Sequence, residues 1–124
     1  MKKRNRKHCV ELAKKIALER DKHTCRRCHR QKGEWQIHGS HILGEGAHPR
    51  MSYDPRNIKA LCAKCHMWWH SSPTESGHWF RTKYPEWWDE IMQDCLKKES
   101  ALESKPDYTE VYAELKKQYE SHSH

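Results

Sequence analysis

The chain lacks long apolar runs. The longest unbroken one is Ala60-Leu61-Cys62-Ala63, and only 35% of the 124 residues are hydrophobic against 33% charged. Nothing of that length crosses a bilayer, which takes about 20 consecutive apolar residues. The basic start also lacks the apolar stretch that a secretory signal carries behind its positive charges. We therefore expect a cytoplasmic protein with no membrane partner. A chain this short has too little interior for two large domains, so its core is small.

Acidic residues are scarce at one end only. Residues 1–34 carry 13 Lys/Arg against 4 Asp/Glu, whereas residues 35–124 carry 11 against 13, so the first quarter supplies the whole formal charge of +7. Such an arm attracts polyanions, and Lys2, Lys3, Arg4, Arg6 and Lys7 are the candidate DNA-phosphate contacts. A solvated face that aids solubility is the alternative.

What the chain has in plenty is metal-ligand chemistry: six cysteines and eleven histidines. Reduced cytosolic thiols favour ligation over disulfides. Four of the cysteines form two pairs of one spacing, Cys25-Arg26-Arg27-Cys28 and Cys62-Ala63-Lys64-Cys65. Two residues between thiolates let a tight turn aim both sulfurs at one ion about 2.3 Å away, and two such turns complete a tetrahedron. We expect a structural zinc site, two redox motifs being the alternative. The 33 residues between the pairs exceed a minimal zinc finger, so that stretch has work of its own. Cys9 and Cys95 read as small buried apolar residues.

Periodicity predicts a helix over 8–21 with Val10, Leu12, Ala13, Ile16 and Ala17 inward and Lys14, Lys15 and Arg20 on the surface. Residues 35–43 read as extended, 44–50 as loop, and Met51-Ser52-Tyr53 as a short returning strand. A turn at Asp54-Pro55-Arg56-Asn57 hands over to Ile58-Lys59-Ala60-Leu61. Helices are expected from Ala63 to Ser71, from Pro73 with Ser72 and Glu75 as a capping box, and from Pro85 with Trp88, Ile91, Met92 and Cys95 on one face. Five of six tryptophans lie between 68 and 88, as core rings or as base-stacking platforms. Residues 99–107 turn polar. Val111, Tyr112, Leu115 and Tyr119 then mark an amphipathic helix that docks on the domain or on a partner. His122 and His124 receive no metal role. The expected units are a basic arm and helix (1–22), a central domain (23–98), and a linker with C-terminal helix and tail (99–124).

Between and just after the cysteine pairs lie His38, Ser40, His41, Asn57, His66 and His70. His66 and His70, four apart on a helix, stand about 6 Å apart at Cβ, which lets both imidazoles hold one ion. The string Ser40-His41-Ile42, then Asn57 in a turn, then Leu61-Cys62-Ala63-Lys64-Cys65-His66, resembles the HNH endonucleases with a ββα-metal active site. Over about residues 23–92 it is most similar to phage HNH proteins and NinG-type recombination nucleases. The resemblance implies an α+β fold: a small zinc-stapled ββα-metal core with flanking helices, mostly helical overall. It also implies a phosphodiester-cleaving DNA endonuclease, phage or prophage encoded. His41 would be its general base and Asn57 the residue orienting that base, with His66 and His70 ligands of one catalytic Mg²⁺ or Mn²⁺, or else Ni²⁺ or Zn²⁺. Many members carry Asp or His where Ser40 stands, so His38 is a substitute ligand, and water or a DNA phosphate is the alternative. Arg50 is a loop candidate for DNA phosphate. Phage packaging or recombination proteins and a second copy of the chain are the implied protein partners. A non-catalytic zinc-stabilised DNA-binding module is the competing function.

Overall fold

The computed structural model describes residues 3–100 and 105–122, so Lys2 and His124 lie outside the described residues. In chain order it gives α1 (Arg6–Arg20), β1 (Ile37–His41), β2 (Ile58–Cys62), α2 (Ala63–Ser71), α3 (Pro73–Lys83), α4 (Pro85–Ser100) and α5 (Tyr108–His122). The fold is mostly helical, around one antiparallel pair in which Ile37 faces Cys62 and His41 faces Ile58.

Helix α1 begins two residues before the periodic pattern because Asn5 caps it. The Asn5 side chain accepts from the His8 N–H at 3.0 Å, and the His8 ring accepts from the Asn5 N–H at 3.2 Å. A histidine thus fills the place that Glu or Gln takes in most capping boxes. The buried face of α1 carries Cys9, Val10, Leu12, Ala13, Ile16 and Ala17. Helix α5 lies along it through Leu115, Val111, Tyr112 and Tyr119, with Ile58 of β2 in the same cluster. The C-terminal helix therefore docks on its own chain. Cys9 and Cys95 are buried, as expected.

The expected strand at Met51–Tyr53 is not formed. Pro49–Met51 is a 3-10 turn, and the strand that pairs with β1 is Ile58–Cys62. Local bonds explain it: the Met51 and Ser52 N–H groups bond back to the His48 and Pro49 carbonyls at 3.0 and 3.2 Å, which takes both donors away from a ladder. Helix α3 starts at Pro73 as read, but the Ser72 side chain makes no capping bond, so the expected box with Glu75 does not close. Instead Ser76 Oγ donates to the Trp69 carbonyl at 3.0 Å and ties α3 to α2.

The second cluster is aromatic. Phe80, wholly buried, is surrounded by Trp69 of α2, Trp79 of α3, Trp87 and Trp88 of α4 and Tyr84 between the last two helices, with Ile91, Cys95 and Met51 in the same cluster. These rings do core work that aliphatic side chains do elsewhere, each burying much more area than a leucine could.

Candidate metal centre and histidine cleft

Cys25 and Cys28 sit in the turn after α1. The Cys25 N–H bonds to the Arg30 carbonyl at 2.8 Å and the His29 N–H to the Cys25 carbonyl at 2.9 Å. Cys62 ends β2, and its sulfur accepts from the Cys65 N–H at 3.4 Å, so it also caps α2. The four sulfurs lie within 4.8 Å of one another. Zinc thiolates at about 2.3 Å in a tetrahedron stand ~3.8 Å apart, and Cys28 Sγ lies 3.6 Å from Cys62 Sγ. The residues fit a structural metal ion such as zinc.

Two arginines face this sulfur cluster. Arg27 Nη1 donates to Cys65 Sγ at 3.6 Å and Arg30 Nη1 to Cys28 Sγ at 3.7 Å. Each guanidinium also lies over an indole, Arg27 over Trp68 at 3.6 Å and Arg30 over Trp35 at 4.2 Å. Burial disfavours the Cys62 thiolate, but the Cys65 N–H together with bonds from Cys28, Cys65 and Arg30 brings that thiol down to about 7. A four-thiolate zinc centre carries two net negative charges, which these guanidinium groups offset.

The histidines gather on the other side of the β2–α2 junction. His41 ends β1, and its Nε2 lies 2.8 Å from the Ser52 carbonyl oxygen. A carbonyl only accepts, so Nε2 carries the proton and Nδ1 keeps its lone pair. Nδ1 faces Glu45 Oε1 at 3.6 Å. Burial pushes the His41 pKa below the ordinary histidine value; Ser52 and Glu45 oppose that shift while Lys14 and Lys59 reinforce it.

Asn57 is wholly buried, and among the described residues its side chain bonds to Leu43 and Met51. Its Nδ2 donates to the Leu43 and Met51 carbonyls at 3.0 Å each, and its Oδ1 accepts from the Leu43 N–H at 2.8 Å. It therefore staples the loop after β1 closed. That loop brings Ser52, the residue after Met51, up to His41.

On α2, His66 Nε2 lies 3.1 Å from His70 Nε2. Two nitrogens each ~2.1 Å from one metal ion at right angles stand about 3 Å apart, so the pair fits adjacent ligand positions. His38 Nδ1 meets the other ring nitrogen of His66, Nδ1, at 2.9 Å. Burial first, then His70 and His38, lowers the His66 pKa to about 4, which keeps the ring neutral as a ligand must be. His41, His66 and His70 line one open cleft of about 450 Å³ together with Lys14, Gly39 and Glu45.

Ser40 is turned inward, where its Oγ accepts from Lys59 Nζ at 3.1 Å. Lys59 is wholly buried, stands 3.3 Å above the Trp69 ring, and also donates to the His41 carbonyl at 3.3 Å. Burial holds its pKa well below the lysine value. Ser40 is thus occupied by the lysine behind the site.

Among the basic candidates, Lys3 and Lys7 are exposed. Arg4 stacks on Tyr112 of α5 at 4.1 Å, and Arg6 Nη1 reaches Glu45 at 3.6 Å. Arg50 lines a separate cavity with His48 and Lys98, away from the histidine cleft. Sequence reading missed Lys14, Glu45 and Lys59. Lys14, read as a surface residue, is half-buried in the cleft. The only signal for it was its place two turns after Arg6 on the same helix face.

Among the described residues, no helix is long and apolar enough to cross a membrane. No family model, no curated protein and no solved structure matches the chain.

Proposed function

We propose that the chain is a metal-dependent DNA endonuclease of the HNH type, acting in phage DNA processing, packaging or recombination. One observation carries the reading: His41 has its Nε2 proton engaged by the Ser52 carbonyl and its basic Nδ1 in the same cleft as His66 and His70. That is the arrangement a general base needs.

In this reading Nδ1 of His41 takes the proton of a water as its oxygen attacks phosphorus. The Ser52 carbonyl and the Glu45 carboxylate favour the imidazolium that forms. His66 and His70 hold one Mg²⁺ or Mn²⁺, with Ni²⁺ or Zn²⁺ as alternatives; when bound, such an ion supplies Lewis-acid stabilisation of the phosphoryl charge and the leaving 3′ oxygen. His38 orients His66 through its far nitrogen, as partners of ligating histidines do. Asn57 acts one step back, through the loop that presents Ser52. The basic arm, Lys2 included, and Arg50 contact backbone phosphates.

The test is zinc-loaded protein with supercoiled plasmid and junction DNA in Mg²⁺, Mn²⁺, Ni²⁺ or Zn²⁺. Cleavage is expected, and His41→Ala lowers its rate by at least ~10²-fold while DNA binding stays nearly intact. DNA left uncut in all four metals overturns the enzyme reading in favour of a zinc-stabilised DNA-binding module.

A further inference from the structure

Resting on that reading, we infer that Lys14 is a phosphate-binding residue of the cleft, whose ammonium takes a non-bridging oxygen of the DNA phosphodiester presented to His41.

Two independent features of the structure point to it. The first is a route built for the side chain. Lys14 leaves α1 and crosses β1 at Gly39, where a Cβ would stand 2.8 Å from Lys14 Cγ and 3.0 Å from Lys14 Cβ. Only glycine leaves that channel open. Gly39 has no left-handed backbone angle to explain it, so close approach is what the position requires.

The second is an uncompensated charge. Lys14 is half-buried in the cleft with His41, His66 and His70, and among the described residues no ion pair or hydrogen bond engages its ammonium. The nearest carboxylate of the cleft, Glu45, is held instead between Arg6 and His41 at 3.6 Å from each. With Glu45 taken up by Arg6 and His41, the Lys14 ammonium leaves the cleft short of negative charge. A phosphodiester supplies one negative charge with oxygens on either side of phosphorus. One oxygen on Lys14 leaves the other to the His66/His70 pair and the phosphorus within reach of a water on Nδ1.

Lys14→Met keeps the apolar stem over Gly39 and removes only the charge. Binding is measured on zinc-loaded protein carrying His41→Ala, so that cleavage does not intrude, with a labelled 30-base-pair duplex across a salt series. Lys14→Met is expected to weaken binding about 5- to 10-fold and to reduce the slope of log affinity against log salt by about one, the change for one lost phosphate contact. Lys14→Arg restores most of both. Gly39→Ala, which pushes the stem off the strand, weakens binding like Lys14→Met, and the double variant is no worse than either alone. In the His41 protein, Lys14→Met lowers kcat/KM at unchanged thermal stability.

An unchanged salt slope for Lys14→Met overturns the inference, as does a chain that binds no DNA. If the slope falls but the parent protein cuts neither plasmid nor junction, the nuclease reading fails while the phosphate contact stands.

Discussion

The four-cysteine centre and the histidine cleft share the β2–α2 junction, yet they are built in opposite ways. Cys25, Cys62 and Cys65 are buried to within 1% exposure, and two arginines stacked on tryptophans reach the sulfur cluster from outside, Arg27 at Cys65 and Arg30 at Cys28. The cleft is open, its histidines run from the largely covered His41 to the exposed His70, and among the described residues its lysine has no counter-ion. Closed, self-neutralised ligand sets belong to ions that hold structure, whereas open sets with spare charge belong to sites that receive something. One helix start, Cys62 to His70, serves both, so the rigid centre fixes the geometry of the open one.

That division is broken most severely by taking away the ion that the four cysteines would hold. Cys62→Ser, or prolonged chelation, is expected to abolish cooperative folding, since binding to such centres contributes on the order of 10 kcal/mol. Circular dichroism with elemental analysis reads it. A folded protein free of zinc, or a serine variant of unchanged melting temperature, would mean the cluster holds no structural ion.

Asn57→Ala sharpens the comparison from the other side, because it touches the cleft only through the loop. It leaves the Leu43 N–H and the Leu43 carbonyl without the partner Asn57 supplies, while the Met51 carbonyl keeps the Asp54 N–H, at a cost of about 2 kcal/mol. Denaturant unfolding is expected to show that loss with one zinc still bound per chain. A variant as stable as its parent but inactive would instead make Asn57 act directly on the chemistry.

The third effect is one of pH. The folded pKa of His41 lies below the unfolded value near 6.5. Its contribution to stability is therefore present above 6.5 and is lost as pH falls from there to the lowered folded value, where the unfolded chain binds the proton and the folded one does not. Cleavage by the neutral base follows the folded value. Half-maximal rate is expected on the acid side of 6.5, and a midpoint above 6.5 in the rate profile would show that another group limits it.

The smallest effect concerns the arm. Replacing the exposed Lys3 and Lys7 by glutamine is expected to reduce the salt slope of DNA binding by less than about two, with stability unchanged. Arg4→Gln, by contrast, loosens the stacking on Tyr112 and lowers stability by about 0.5–1 kcal/mol. A thermal melt separates the two kinds of basic residue. Equal behaviour of all three would make the arm a single solvated surface.

Much of the frame was legible residue by residue. The inward face of α1, the paired cysteines, the starts of α2, α3 and α4, and the apolar stripe of α5 are each written in spacings of two to four residues. Short-range spacing is what a sequence displays directly. The returning strand was misplaced because the Met51 and Ser52 N–H groups bond to the His48 and Pro49 carbonyls, which lie outside the segment. The capping box at Ser72 does not close; that residue also ends α2, where its N–H bonds to the Trp68 carbonyl at 2.9 Å.

The amino-acid sequence by itself determined that four thiols of matching spacing converge, that tryptophans fill a core poor in aliphatics, and that His66 and His70 share one helix face. Only the tertiary structure decided what surrounds them. It buries Lys59 against Ser40 and Trp69, makes Asn57 a staple for the loop that presents Ser52, and threads Lys14 past Gly39 into the cleft. The physical reason is separation along the chain. The cleft draws Lys14, His41, Glu45 and His70 from a helix, a strand, a loop and another helix, and no local pattern records which of them packing will bring together.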